Sequence, residues 1–200
     1  MKPTQILSNE HRIIEQVLSC VEAMANQARE TGKLDTEAAS QTLDFFKTFV
    51  DKCHHAKEED HLFPLMEAKG FSKDFGPTSV MRGEHLQGRG FIEGMSQGLS
   101  EIEAGNAEGV NTYVRNALEY IELLRQHVHK EDHCLFSMAD NAFTAEDNEN
   151  LIQSFKDHER HEMGLGVHER FLLMANNLAE KWGVEKACSG HQPSGGCCAH

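Results

Sequence analysis

No stretch of this chain alternates apolar and polar residues as a half-buried strand would. Helix-forming residues dominate, and glycine and proline divide them into five long segments. The first runs from Thr4 or Ser8 to Thr31 and stops at Gly32. Asp35 caps a second, ending near Lys69 and Gly70, with Pro64 expected to bend its last turns. A third starts at Thr78 and Ser79, after Pro77, and ends near Gly105, and a fourth covers Ala107 to Asp140. The run Thr144 to Asp147 reads as a capping box that opens a fifth helix reaching Trp182. Long helices on short connections predict an all-α fold, an up-down-up-down four-helix bundle with a fifth C-terminal helix added. The bundle is expected over residues 1–182, and residues 183–200, rich in Gly, Ser, Cys and His, as a flexible tail. Gly90, Gly94 and Gly98 form a stripe along the third helix that lets another helix backbone approach closely.

The second and fourth segments contain matching stretches, HHAKEEDHLF from His54 to Phe63 and HVHKEDHCLF from His127 to Phe136. They align without a gap, with His54 on His127, Glu58 on Glu131, and Leu62-Phe63 on Leu135-Phe136. Glu10-His11 in the first helix is echoed by Glu84-His85 in the third, so the chain reads as an internal two-fold pseudo-repeat. Positions four apart share a helix face, so His54 points with Glu58, and His127 with Glu131. Leu62 and Leu135 keep that face turned toward the core. Burying one unpartnered charge costs several kcal/mol. Two glutamates and four histidines converging inside a bundle therefore call for compensating cations, and a dinuclear metal centre supplies them.

In these motifs the chain resembles the hemerythrin-like HHE cation-binding family: His11 in the first helix, HHAKEEDHLFP in the second, EH at 84–85 in the third and HVHKED in the fourth. The resemblance implies a four-helix bundle holding a non-haem centre of two iron ions. Carried over by position, the ligands would be His11, His54, Glu58, His85, His127 and Glu131. Oxygen-carrying members have a second histidine four residues after the first in the third helix, where this chain has Arg89. They use an aspartate in the fourth helix, a role open to Asp132, but the repeat favours Glu131. Four histidines with two glutamates look more like the iron–sulfur-cluster repair branch of the same superfamily. Glu10, Glu84 and Glu59 are placed to orient the ligating imidazoles from outside.

Further histidines extend the search. His61 lies seven residues after His54, and the fifth segment carries DHERHEMGLGVHERF, with His158, His161, Glu162 and His168 on one side of an ideal helix. This arrangement predicts that the fifth helix covers the bundle and inserts replacement ligands, His161 and His168 first, then His61 and His158, with room for a third metal near His61. His55 and His129 are expected to point elsewhere. Cys134 is placed to line the cavity, and Cys188, Cys197 and Cys198 with His191 and His200 make the tail a candidate for soft metals.

Composition narrows the partners. The 200 residues carry 32 acidic against 19 basic side chains, a formal charge of −13, which disfavours nucleic acid and anionic membranes. No apolar run approaches the roughly 20 residues of a membrane span, and nothing at the start reads as a secretory signal, so the cytoplasm is expected. Six scattered cysteines fit reduced thiols. The function expected is a diiron protein that binds or reduces O2, peroxide or NO, in sensing or detoxification, with peroxidase- or oxidoreductase-like activity open to it. Electrons would come from an external donor, and the protein would be a monomer or homodimer. The alternative is a coordinatively saturated, histidine-rich metal protein serving iron storage or delivery, iron–sulfur cluster repair or electron transfer.

Overall fold

The computed structural model describes residues 1–164 and 166–187, without the side chains of Glu162 and Met163. The described residues are helical throughout their regular structure, with no strand. Helix α1 is Pro3–Thr31 and ends where Gly32 turns into the left-handed region at φ 68°. Helix α2 spans 36–68, opened by Asp35, whose carboxylate accepts the Ala38 N–H at 3.1 Å. It winds as a π-helix over Phe46–His55 and again over Glu58–Leu62. Pro64 follows this second wide turn, and its missing N–H leaves one carbonyl of that turn without an intrahelical partner. Helix α3 is Pro77–Glu103. Helix α4 spans 108–142 and carries its own π-turn at Glu131–Leu135, the repeat partner of the one at Glu58.

The fifth helix differs from expectation. Helix α5 spans 145–163, opened by the Thr144–Asp147 capping box, and α6 is Val167–Trp182. Gly164 and Gly166 separate them at φ 82° and 80°, a conformation that a continuous right-handed helix cannot contain. The tail expected over 183–200 lies outside the described residues from Cys188 onward.

Two apolar clusters bracket a polar layer. In α1 the chain passes Leu7 of the smaller cluster, then His11, then Ile14 of the larger one. In α2 the order reverses, with Phe49 and Val50 before His54 and Leu62 after Glu58. Helix α3 runs from Met81 through His85 to Ile92, and α4 from Leu124 through Glu131 to Leu135. All four helices thus deliver polar side chains to one level of the bundle, sealed above and below by leucine, isoleucine, phenylalanine and methionine.

The glycine stripe is used at one end. A Cβ on Gly98 would lie 2.5 Å from the Tyr113 backbone nitrogen and 2.8 Å from the Gly109 carbonyl oxygen, so α3 and α4 touch backbone to backbone there. At Gly90 the same atom would meet nothing within 4 Å. Gly98→Val is therefore expected to destabilise the fold by about 2–3 kcal/mol through overpacking, whereas Gly90→Ala is expected to stabilise it by about 0.5–1 kcal/mol through helix propensity. Thermal melts of the two variants check the contrast.

Candidate metal centre

At the polar level, four imidazoles obey one rule. Each gives its Nδ1–H to a carboxylate outside the layer and turns Nε2 inward. His11 donates to Asp132 at 3.0 Å, His54 to Glu10 at 2.9 Å, His85 to Glu59 at 2.6 Å and His127 to Glu84 at 2.9 Å. The carboxylates thereby fix ring orientation and turn Nε2 inward, where its lone pair faces a cation once any proton there is lost. The inward nitrogens come in pairs, His11 with His54 and His85 with His127, each 3.1 Å apart. Donors at about 2 Å from a shared metal and at right angles to one another sit about 3 Å apart.

Glu58 and Glu131 stand between these pairs and are fully buried. Each spans one imidazole from either half of the chain. Glu58 lies 3.6 Å from His54 Nε2 and 3.4 Å from His85 Nε2, while Glu131 lies 3.3 Å from both His11 and His127 Nε2. All four carboxylate oxygens are buried without a hydrogen bond, which would cost several kcal/mol in a layer that held no cation. The donors fall into two overlapping groups, each within 4.8 Å: His11, His54, Glu58 and Glu131, and His55, Glu58, His85 and His127. Such residues would fit metal ions, with Glu58 common to both groups.

The decisive comparison agrees. The profile of the Hemerythrin HHE cation binding domain matches residues 2–139. The chain belongs to this hemerythrin family. It is also similar to uncharacterized proteins of Mycobacterium tuberculosis (strain H37Rv) and Mycobacterium bovis, each 22% identical over 158 residues. The matched region is 79% of this chain and 61% of each relative, so the chain spans about three fifths of the length of these curated proteins. No solved structure matches it.

The hemerythrin-type layer packs its charges closely enough to shift one another's protonation. Burial and the neighbouring Glu131 push the Glu58 carboxyl well above its usual range. Burial works in the same direction on Glu131, but His127 and His11 outweigh it and hold that carboxyl well below. For His11 and His127, burial opposes protonation, and the surrounding carboxylates overcome it and lift both to about 9. Burial keeps His54 down at about 4. Since His11 and His127 hold their protons below about pH 9, a metal must displace them. Loading at pH 7 is expected to release protons from His11 and His127, and affinity to weaken progressively as pH falls below about 9. Calorimetry in buffers of different ionisation enthalpy measures that release.

Six of the ten histidines and glutamates marked in the sequence as metal ligands meet here: His11, His54, Glu58, His85, His127 and Glu131. The expected insertion from the fifth helix does not occur. His161 is exposed, His158 Nε2 donates to the Lys52 carbonyl at 3.0 Å, and His61 packs against the His158 ring. His168 lies tilted beside Phe49 and shares a group with Glu10 and Glu159, not with the central glutamates. The reason is the Gly164–Gly166 break, which resets the helical phase between His161 and His168. Near His61, where a third metal was expected, no group of three metal-ligating side chains forms among the described residues; between Glu10 and Glu159 lies the Lys57 ammonium. Lys57 is fully buried, bonded to Glu10 and 2.8 Å from Glu159. Glu162 and the tail residues Cys188, His191, Cys197, Cys198 and His200 lie outside the described positions. Cys134 is exposed rather than lining the cavity, because the π-turn at Glu131–Leu135 carries it outward.

Two residues of the layer escape sequence reasoning. Lys57 reads as a solvated lysine in a charged run, and His55 reads as facing away because α-helical winding turns it about 100° from His54. The π-helical stretch Phe46–His55 winds more slowly, so both neighbouring histidines face the interior, their ring centroids 5.6 Å apart. Arg89 is not an idle replacement. Its guanidinium bonds to Asp51 at 2.8 Å and to Glu59 at 2.9 Å, the same carboxylate oxygen that orients His85.

Proposed function

We propose that this chain holds two iron ions between Glu58 and Glu131 and uses them to bind or reduce a small molecule, O2, NO or a peroxide. The single observation behind the reading is the four buried, unpartnered carboxylate oxygens set among four inward Nε2 atoms. Mixed imidazole and carboxylate donors suit redox-active iron better than magnesium or calcium, which favour all-oxygen sites. Iron bound there would supply one-electron redox chemistry and an affinity for diatomic ligands. The chain's own contribution is orientation and exclusion of water. Asp132, Glu10, Glu59 and Glu84 orient the imidazoles, and the two apolar clusters keep bulk solvent from the layer. Among the described residues, a cavity of about 630 Å³ lined by His11, Val128 and Asp132 brings the surface to the edge of the centre. Electrons for reduction would come from an external donor.

The saturated storage or electron-transfer reading depended on histidines from the fifth helix, and these stand outside the layer. Metal analysis of purified protein tests the proposal first. About two ions per chain are expected, with fewer in His54→Ala and His127→Ala. Azide or NO added to the iron-loaded protein should then shift its optical spectrum. An unchanged metal count in both variants would remove the site, and an unmoved spectrum would favour a saturated centre.

A further inference from the structure

The pseudo-two-fold carries nearly every residue of the layer onto a counterpart. Glu10 corresponds to Glu84, His11 to His85, His54 to His127, Lys57 to Lys130, Glu58 to Glu131 and Glu59 to Asp132. Even the ring packing repeats, with His11 stacked on Phe136 and His85 on Phe63. The position after the α2 ligand breaks the match. There the first half has His55 and the second has Val128, which has no donor atom.

His55 is 4% exposed, and neither ring nitrogen has a hydrogen-bond partner. An imidazole with both nitrogens buried and unpaired loses its contacts with water and gains nothing in return. Its surroundings approach the arrangement of the other four without completing the hydrogen bond. Nδ1 faces a carboxylate, Asp51, at 3.7 Å, and one nitrogen lies in the donor group of Glu58, His85 and His127. Asp51 is itself held by Arg89 at 2.8 Å. The ring lies 3.8 Å from His85 and nearly parallel to it, at 17°. Two parallel rings cannot both contain the same metal in their planes, so ligation requires His55 to turn out of that stack.

We propose that His55 is a fifth imidazole of the centre, donated to the metal held by His85 and His127, and that Arg89 and Asp51 position it. The proposal rests on the dinuclear reading above. It makes the two metals unequal, three imidazoles on one and two on the other, from a framework otherwise duplicated.

Mössbauer spectra of the full chain loaded with 57Fe, beside metal counts and thermal melts, test this. The wild type is expected to show two iron environments of equal area. His55→Val, which installs the residue of the opposite half, should bring the two environments together or lose iron from one position. His55→Phe keeps an aromatic ring on His85 but no donor, and should do the same while melting near the wild type. Wild-type spectra in both variants, with two irons retained, would overturn the proposal and leave His55 a packing residue. So would a single iron environment in the wild type. Fewer than two irons in the wild type would overturn the dinuclear reading itself.

Discussion

Glu131→Gln is expected to bind at most one metal ion, with affinity reduced by more than about 100-fold. The carboxylate of Glu131 lies 3.3 Å from one inward nitrogen of each half, so no other residue can replace both contacts. The amide is close in size but neutral, and its NH2 presents hydrogens where the centre needs lone pairs. Without metal the variant leaves the buried His11 and His127 with one compensating carboxylate fewer, so its metal-free fold is expected to weaken too, and the metal dependence of the melt rather than its absolute position reports binding. Metal-loaded wild type, by contrast, gains stability by mass action, about 2.7 kcal/mol at a hundredfold excess over Kd. Melts with ferrous ion and with chelator should therefore differ for the wild type and coincide for Glu131→Gln. A variant that kept both ions and the metal-dependent shift would exclude Glu131 as a bridge.

Lys57→Met should be the most damaging change outside the ligands. Its ammonium is fully buried between Glu10 and Glu159, and Glu10 in turn holds His54 Nδ1. Removing one member of a buried charged group leaves the others uncompensated and costs about 3–5 kcal/mol. In a chain of this length that lowers the melting temperature by about 6–20 °C. The repeat supplies an internal control. Lys130 makes the equivalent bond to Glu84, but its side chain is 41% exposed, and Lys130→Met should cost no more than about 1 kcal/mol. Equal losses would show that burial is not what gives Lys57 its weight. The pH dependence has a definite sign. Burial opposes ionisation of Glu10, and Lys57 with His54 overcomes it, holding the carboxyl at about 2 against an ordinary 4.5. A depressed carboxyl contributes fully above pH 4.5 and loses that contribution as pH falls through about 2. Wild type and Lys57→Met should thus differ most near neutrality and converge in strong acid.

The parts of the molecule legible in the sequence are those governed by regular periodicity. His54 with Glu58, and His127 with Glu131, were readable because four residues make about one turn, and the duplication chose them from among thirteen histidines. Glu10, Glu84 and Glu59 were readable because each neighbours a ligand and could reach an imidazole of another helix. What failed was whatever depended on departures from that period. The π-helical stretch Phe46–His55 rotated His55 into the layer and the turn at Glu131–Leu135 rotated Cys134 out of the expected face. Gly164 and Gly166 divided a helix whose histidine spacing looked continuous. Lys57 was hidden for a different reason. A buried lysine is rare unless paired, and its two partners are 47 and 102 residues away.

The solitary histidine of each half is aimed by an acid of the other: Asp132 holds His11, and Glu59 holds His85. Glu58 and Glu131 each reach across in the same way. A nascent chain that has emerged only as far as α2 therefore owns donors but not the acids and imidazoles that complete the cradle. The full donor set is assembled only when Asp132 of α4 is in place, so a chain truncated before α4 is expected to retain metal less tightly than the whole one.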